Sequence, residues 1–326
     1  MSVNLIRILN AIIAIAVGCG GVIAAFYGFN LLVERFPKQW QKRLLPWVYV
    51  GPAVAFLFVY LILPTVRTLY LSFLDNRSEN FVGLKNYLFA FTNGDMLIAF
   101  RNNLLWLVLV TGISVSLGLI IAVLVDRVKY EAAAKSLIFL PMAISFVGAS
   151  VIWRFIYAFR PGGANQIGVL NAIVVAFGGE PVGWLVERSL NNFALIAIMI
   201  WLYTGFCMVL LSSAVKGIPK DVIEAARMDG ASELQIFWRV MIPMIMPTIT
   251  VVTTTMVVFV LKVFDIVFVM TGGNLDTDVI ASRMIKEMFN YRNFGRGSAI
   301  AVILLLAVIP VMVTNIKRFR QQEVER

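Results

Sequence analysis

Residues 224–247 read EAARMDGASELQIFWRVMIPMIMP, an amphipathic stretch with a long apolar run on either side. Glu224, Ala225 and Ala226 are strong helix formers, which predicts a short helix starting near Lys220 and Asp221, with Asp221 as its cap. Gly230 interrupts that helix, because glycine accepts the bent or left-handed backbone that other residues resist. A second helix over 231–240 can then leave at an angle. Pro243 and Pro247 follow, and proline is accommodated in the first turn of a helix, so they mark the entry into the next apolar run. The expectation is a compact two-helix knob between two membrane spans.

Composition agrees with a membrane setting. Of the 326 residues, 60% are hydrophobic and only 14% charged, with a mean hydropathy of +0.87. A soluble globular chain is about half apolar and a quarter charged. The net charge of +10 could point to nucleic acid, yet the basic residues flank apolar runs, as membrane topology requires, and no basic stripe stands elsewhere. Membrane lipid is therefore an expected partner and nucleic acid is not. Histidine is absent, which removes the commonest general base and the commonest transition-metal ligand. Cys19 and Cys207 fall inside apolar runs, so neither a disulfide framework nor a metal site is expected.

The expected fold class is all-α, a polytopic transmembrane helix bundle of about seven spans. Residues 5–33 form the first run, too long for a signal peptide; Ala16 stands where a lipoprotein cleavage box prefers Leu, three before Cys19, so the run reads as a retained helix. The loop 34–46 carries Arg35, Lys38, Lys42 and Arg43. Span two covers 48–73 and contains Pro52 and Pro64. After a loop over 74–100, spans three and four cover 103–125 and 135–159. The loop 160–191 holds an apolar segment, 167–177, too short to cross a bilayer, which takes roughly 20 residues. Span five covers 193–215 and span six 243–271, ended by Gly272 and Gly273. Residues 276–290 place Ile280, Met284, Ile285, Met288 and Phe289 on one face and Asp278, Ser282, Lys286 and Glu287 on the other, which predicts a helix lying on a surface. Span seven, 298–316, leads to a tail with Lys317, Arg318, Arg320 and Arg326.

Seven spans alternate sides, so basic residues fix the orientation. Fifteen of the 28 Lys and Arg fall in four short segments: the 34–46 loop, the 126–135 connection, the 216–247 loop that holds the knob, and the tail. This puts the knob and the C-terminus in the cytoplasm and the N-terminus outside.

The knob resembles the EAA motif of permease subunits of binding-protein-dependent ABC importers, with Glu224-Ala225-Ala226, then Asp229-Gly230-Ala231, then Pro243 at the entry to the next span. From residue 47 onward other pieces are similar to the carbohydrate subfamily, of the maltose and alpha-glucoside kind. They are Gly51-Pro52 and Pro64, Gly83-Leu84-Lys85-Asn86-Tyr87, Pro141, Trp153, Trp184-Leu185 and Thr271-Gly272-Gly273. The resemblance implies an importer domain over 47–326 with a coupling loop over 216–247, preceded by an added span and basic loop over 1–46. It implies that Glu224, Ala225, Ala226, Asp229, Gly230, Ala231 and Pro243 couple to a cytoplasmic ATPase. It further implies a second permease subunit in a heterodimer, an ATPase dimer, an extracytoplasmic substrate-binding protein and a place in the bacterial cytoplasmic (inner) membrane. No G-x-x-x-x-G-K-[ST] phosphate loop occurs in the chain. It is expected to be no enzyme and to hold no cofactor, with ATP and Mg on the partner ATPase subunits.

A sugar is recognised by hydrogen bonds to its hydroxyls and by an aromatic face against its ring. Spans five and six supply Trp201, Tyr203, Thr204, Thr253, Thr254 and Thr255 near mid-depth as candidate path residues, although small hydroxyl residues in spans more often serve helix packing. Asn102, Asn103 and Trp153 are candidates on the outer side. Lys262 and Asp265, at i and i+3, can pair on one helical face; charges at membrane depth point to a functional site, either a structural pair or part of an outer gate. The expected activity is import of a carbohydrate by alternating access. Alternatives are another polar solute, such as glycerol phosphate or a polyamine, and an ion-coupled secondary transporter. The latter would show repeat symmetry and midplane charges.

Overall fold

The computed structural model describes residues 3–126 and 128–324, with side chains described for 6–126 and 128–314. Arg127 and Arg326 lie outside the described residues, and Lys317, Arg318 and Arg320 outside the described side chains. The chain divides into two compact units, Met1–Thr68 and Leu69–Arg326.

The first unit is a helical hairpin of α1 (Val3–Glu34) and α2 (Lys38–Leu71), the last residues of α2 belonging to the second unit. Pro37 fixes the turn, and the Gln41 amide ties it by donating to the carbonyls of Glu34 (2.9 Å) and Phe36 (2.8 Å). Phe26 stacks on Tyr49 at 5.9 Å. Pro64 has no N–H to give the carbonyl of Tyr60, and α2 widens into a π turn at Phe58–Ile62 just before it.

The second unit contains α3 (Lys85–Thr92), α4 (Gly94–Val125), α5 (Glu131–Phe139), α6 (Phe146–Ile156), α7 (Val169–Ala176) and α8 (Asn191–Lys216). It continues with α9 (Lys220–Met228), α10 (Glu233–Leu261), α11 (Asp265–Met270), α12 (Ile280–Ile285) and α13 (Phe294–Val324). Its core surrounds α8, whose Leu195, Ile198, Met199, Met208 and Leu211 are buried together with Trp106 of α4 and Met256 of α10. Small residues let backbones meet there. A Cβ on Gly118 of α4 would sit 2.6 Å from the Cβ of Cys207 on α8, and one on Gly205 would sit 2.3 Å from the carbonyl oxygen of Ile138 on α5.

Among the described residues six helices (α1, α2, α4, α8, α10, α13) are long and apolar enough to cross a membrane, and the bent pair α5–α6 makes a seventh if it is one span. The all-α polytopic bundle is as expected. Three elements differ from the sequence reading. Span four is not one helix: Pro141 lies in a 3-10 turn, Leu140–Ala143, Ile144 is extended, and Ser145 caps a new helix by accepting the Gly148 N–H at 3.0 Å, so the two halves meet at 100°. Span six stops at Leu261 and restarts at Asp265. The 276–290 segment does not lie on a surface with its polar side outward. Asp278, Ser282, Arg283 and Glu287 are buried, because each of the three ionised groups finds a partner: Arg283 meets the buried Glu287 and the exposed Asp95 at 3.0 Å each, and Lys286 meets Asp278 at 2.8 Å.

Candidate functional site

The knob is built by local rules. α9 starts after Pro219, whose ring suits the entry to a helix; no side chain caps it, and Asp221, expected as the cap, sits instead in the first turn, where its charge favours the helix dipole. α9 ends in a Schellman closure: the Ala231 N–H bonds the carbonyl of Ala226 and the Gly230 N–H that of Arg227, each at 3.0 Å, with Gly230 at φ +81°. Ser232 then begins α10 through a capping box with Gln235. The second helix therefore starts at Glu233 rather than Ala231. It does not end near 240 either, since it runs into span six through a π turn, Phe237–Met241, placed as in α2 just before a proline, Pro243.

Ile236 is fully buried and Ile218 nearly so, and Ile218 and Ile223 anchor the knob to the core. Glu224 is exposed, as are Met228, Leu234 and Trp238. Arg227 Nε donates to Glu233 Oε1 at 2.8 Å, bridging the two knob helices; this bond and the Glu233 charge, with a lesser effect of Glu224, raise the Arg227 pKa above its usual value. Behind the knob is a cavity of about 620 Å³ whose walls include Glu224, Arg227, Glu233, Lys216, Lys220 and Asp126.

Asp126 belongs to an ionic hub that sequence reasoning missed. Lys135 of α5 donates to Asp126 at the end of α4, to Ser212 of α8, and to Glu131 at 2.6 Å, while Ser212 donates to Asp126 at 2.9 Å and Lys216 pairs with Glu131. Three helix ends are thus joined at the wall of the cavity.

On the opposite end of the unit, asparagines hold the 271–280 loop. Asn102 donates to the carbonyls of Asp276 (2.7 Å) and Asp278 (2.8 Å), Asn103 accepts the Ile280 N–H at 2.7 Å, and Asn191 donates to Leu275 at 2.8 Å. Leu275 and Asp276 have positive φ, 55° and 63°, a conformation this clamp stabilises. Asn102 and Asn103, read as outer-side candidates, are buried backbone anchors.

The candidate path residues fall into two groups. Tyr203 lines a cavity of about 120 Å³ with Phe146, Met199, Phe259, Lys262 and Asp265, and Trp201 packs edge-on against Trp153 at 5.8 Å. The hydroxyls point elsewhere: Thr204, Thr253 and Thr255 each donate to the carbonyl four residues earlier in their own helix, and Thr254 donates to Thr250. Lys262 and Asp265 form no ion pair with each other among the described residues, because the helix ends between them and they no longer share a continuous helical face. The Lys262→Met/Asp265→Asn double variant is accordingly expected to transport no better than the worse single. Rescue in the double variant, measured as initial uptake rate, would restore the pair.

Residues 102–324 match the family described as "Binding-protein-dependent transport system inner membrane component". The chain belongs to this family. It is 78% identical over 276 residues to the osmoprotective compounds uptake permease protein GgtC of Synechocystis sp., covering 85% of this chain and 99% of that one. It is 45% identical to the alpha-glucoside transport system permease protein AglF of Rhizobium meliloti, covering 95% and 97%. Its fold is similar to a chain in the crystal structure of a bacterial ABC transporter that imports the acidic polysaccharide alginate, with a TM-score of 0.75 at 20% identity, covering 87% of this chain and 98% of that one. This family member is thus a multi-pass inner-membrane permease component, and its matched region holds the knob, the hub and the asparagine clamp.

Proposed function

We propose that the chain is the permease subunit of an ATP-driven importer that moves a carbohydrate, an osmoprotective glucoside being the class that fits best, into the cytoplasm by alternating access. The observation that carries this reading is the knob: a locally specified, firmly anchored element that leaves Glu224, Met228, Leu234 and Trp238 uncovered beside a charged cavity. A mixed apolar and charged protrusion of that kind is what a partner protein docks on. The partner proposed is a separate ATPase dimer carrying ATP and Mg, engaged through residues 216–247, with Glu224, Ala225, Ala226, Asp229, Gly230, Ala231 and Pro243 forming or positioning the contact. The substrate class is supported by the names of the relatives at 78% and 45% identity. An external binding protein and a second permease subunit complete the assembly, and residues 1–46 are an addition to the core over 47–326.

Within the path, Tyr203 and Trp201 supply the aromatic faces, Lys262 and Asp265 the polar rim. Thr204, Thr253, Thr254 and Thr255 contribute hydroxyl lone pairs at most, since their protons are engaged. The test is purification in mild detergent followed by reconstitution: an ATPase and a second permease should co-purify, and glucoside uptake should require ATP. Uptake driven by an ion gradient in the absence of any ATPase would overturn the proposal in favour of a secondary transporter.

The proposed orientation is N-terminus outside and C-terminus and knob in the cytoplasm. The structure selects the reporter sites for it. Gln41 is engaged in the turn and a Cβ on Gly179 would lie 2.8 Å from Val174, so thiols belong at the exposed neighbours Lys42 and Glu180. In intact cells an impermeant reagent should label Glu180→Cys and spare Lys42→Cys; the reverse pattern would invert the topology.

A further inference from the structure

The α1–α2 hairpin encloses an apolar groove of about 270 Å³, lined by Phe29, Val33, Leu44, Trp47, Val48 and Gly51. At one end of this groove lies the turn, residues 34–43, with four cations: Arg35, Lys38, Lys42 and Arg43. None of the four makes an ion pair among the described residues. The single acid of the segment, Glu34, accepts instead from Asn30 at 2.8 Å. Trp40 and Trp47 are both largely exposed, Trp47 within the groove lining, and tryptophan favours the membrane–water interface. An apolar slot between two membrane helices, an exposed tryptophan in its lining and uncompensated positive charge at the adjoining turn together match one chemistry.

We propose that this groove holds an acyl chain of an anionic phospholipid whose headgroup is met by Arg35, Lys38, Lys42 and Arg43. Basic clusters beside membrane helices bind anionic headgroups, each cation near the surface giving roughly a fivefold preference. The groove lining is bulky, with Phe29 and Trp47, whereas a docked helix needs small residues to bring backbones close. A flexible acyl chain has no such requirement. The hairpin thereby becomes a lipid-binding element, independent of what the importer carries.

The test uses the assembled transporter in bilayers of phosphatidylglycerol and phosphatidylcholine in equal amounts, extracted in mild detergent and weighed by native mass spectrometry. The wild type should retain phosphatidylglycerol over phosphatidylcholine by about tenfold or more. Lys38→Gln/Lys42→Gln should lower that preference by roughly an order of magnitude while lipid is still retained. Gly51 lines the groove and a Cβ there meets nothing within 4 Å, so Gly51→Phe sets a ring into the groove, and this variant should lose the bound lipid whatever its headgroup. Equal lipid retention by wild type and Gly51→Phe, or the same headgroup preference after both lysines are neutralised, would overturn the proposal. So would a photo-crosslinker at Trp47 that captured a polypeptide, whether a second copy or another subunit, in place of phospholipid.

Discussion

Glu224→Lys and Gly230→Val are expected to abolish substrate-stimulated ATP hydrolysis by the reconstituted complex while leaving the permease inserted and paired with its partner subunit. Glu224 is exposed at the knob, one helical turn from Met228 and beside the cavity that also holds Arg227. Reversing its charge sets like charges together at a partly desolvated interface. Truncating one member of such a pair commonly costs about 2–5 kcal/mol, which corresponds to a loss of at least tenfold in docking. Gly230 acts differently. A Cβ there meets nothing within 4 Å, so crowding is not the issue; its φ of +81° is. A left-handed backbone costs an ordinary residue about 1–2 kcal/mol and a β-branched one more. Valine should therefore open the Schellman closure and swing α9 away from Ser232, whereas Gly230→Asn, which tolerates this conformation, should keep most of the coupling. Hydrolysis, uptake and ATPase co-purification are the readouts. Wild-type values in all three for both variants would make the knob a passive loop.

The knob was legible because its rules are local. Gly230 at positive φ and proline at the entry of span six could be placed from composition and spacing within a few residues. The misplacements inside it are also local competitions: Pro219 took the boundary that Asp221 was expected to cap, and the capping box at Ser232 moved the second start two residues on. The broken spans were illegible for another reason. Hydropathy averages over a window, and residues 135–159 and 243–271 stay apolar on average despite Arg154, Lys262 and Asp265, so a bend at Ile144 or a stop at Leu261 leaves no trace in the average. Each proline two residues past a π turn, Pro64 and Pro243, was visible as a residue but not as a cause of widened helix. Least legible were contacts made across the chain. Asn102 reaches the 271–280 loop over a separation of 174 residues, and Lys135 reaches Ser212 over 77. A polar side chain near a span end looks the same in sequence whether it faces water or anchors a buried loop. That is why Asp278 and Glu287 were expected at a surface and lie buried instead.

A large packing effect is expected at Gly118 and Gly205, where long helices of the core meet neighbouring backbone. At Gly118, helix propensity and packing predict opposite signs, which makes alanine the decisive substitution. Glycine in a helix interior is less favourable than alanine by about 0.8–1.0 kcal/mol, so propensity alone predicts that Gly118→Ala stabilises the permease. Yet the new Cβ would lie 2.6 Å from the Cβ of Cys207 and 2.8 Å from the backbone nitrogen of Met208. Neither atom is the end of a flexible side chain, so α4 and α8 must separate. Overpacking a tight core costs about 1–3 kcal/mol, and here the whole α4–α8 seam moves, from Val110 to Leu211. Packing should win, and Gly118→Ala should melt several degrees below wild type in detergent. Gly205 is more severe. Its Cβ would stand 2.3 Å from the Ile138 carbonyl oxygen and 2.7 Å from the Phe139 Cα, both backbone atoms of α5, so Gly205→Leu should leave no assembled complex. Gly112→Leu is the control, since it lies on the same helix as Gly118 but a Cβ there meets nothing within 4 Å. It should melt at or slightly above the wild-type temperature, as propensity predicts. If Gly118→Ala rises with it, the close approach of α4 and α8 at Cys207 is not present in the folded permease.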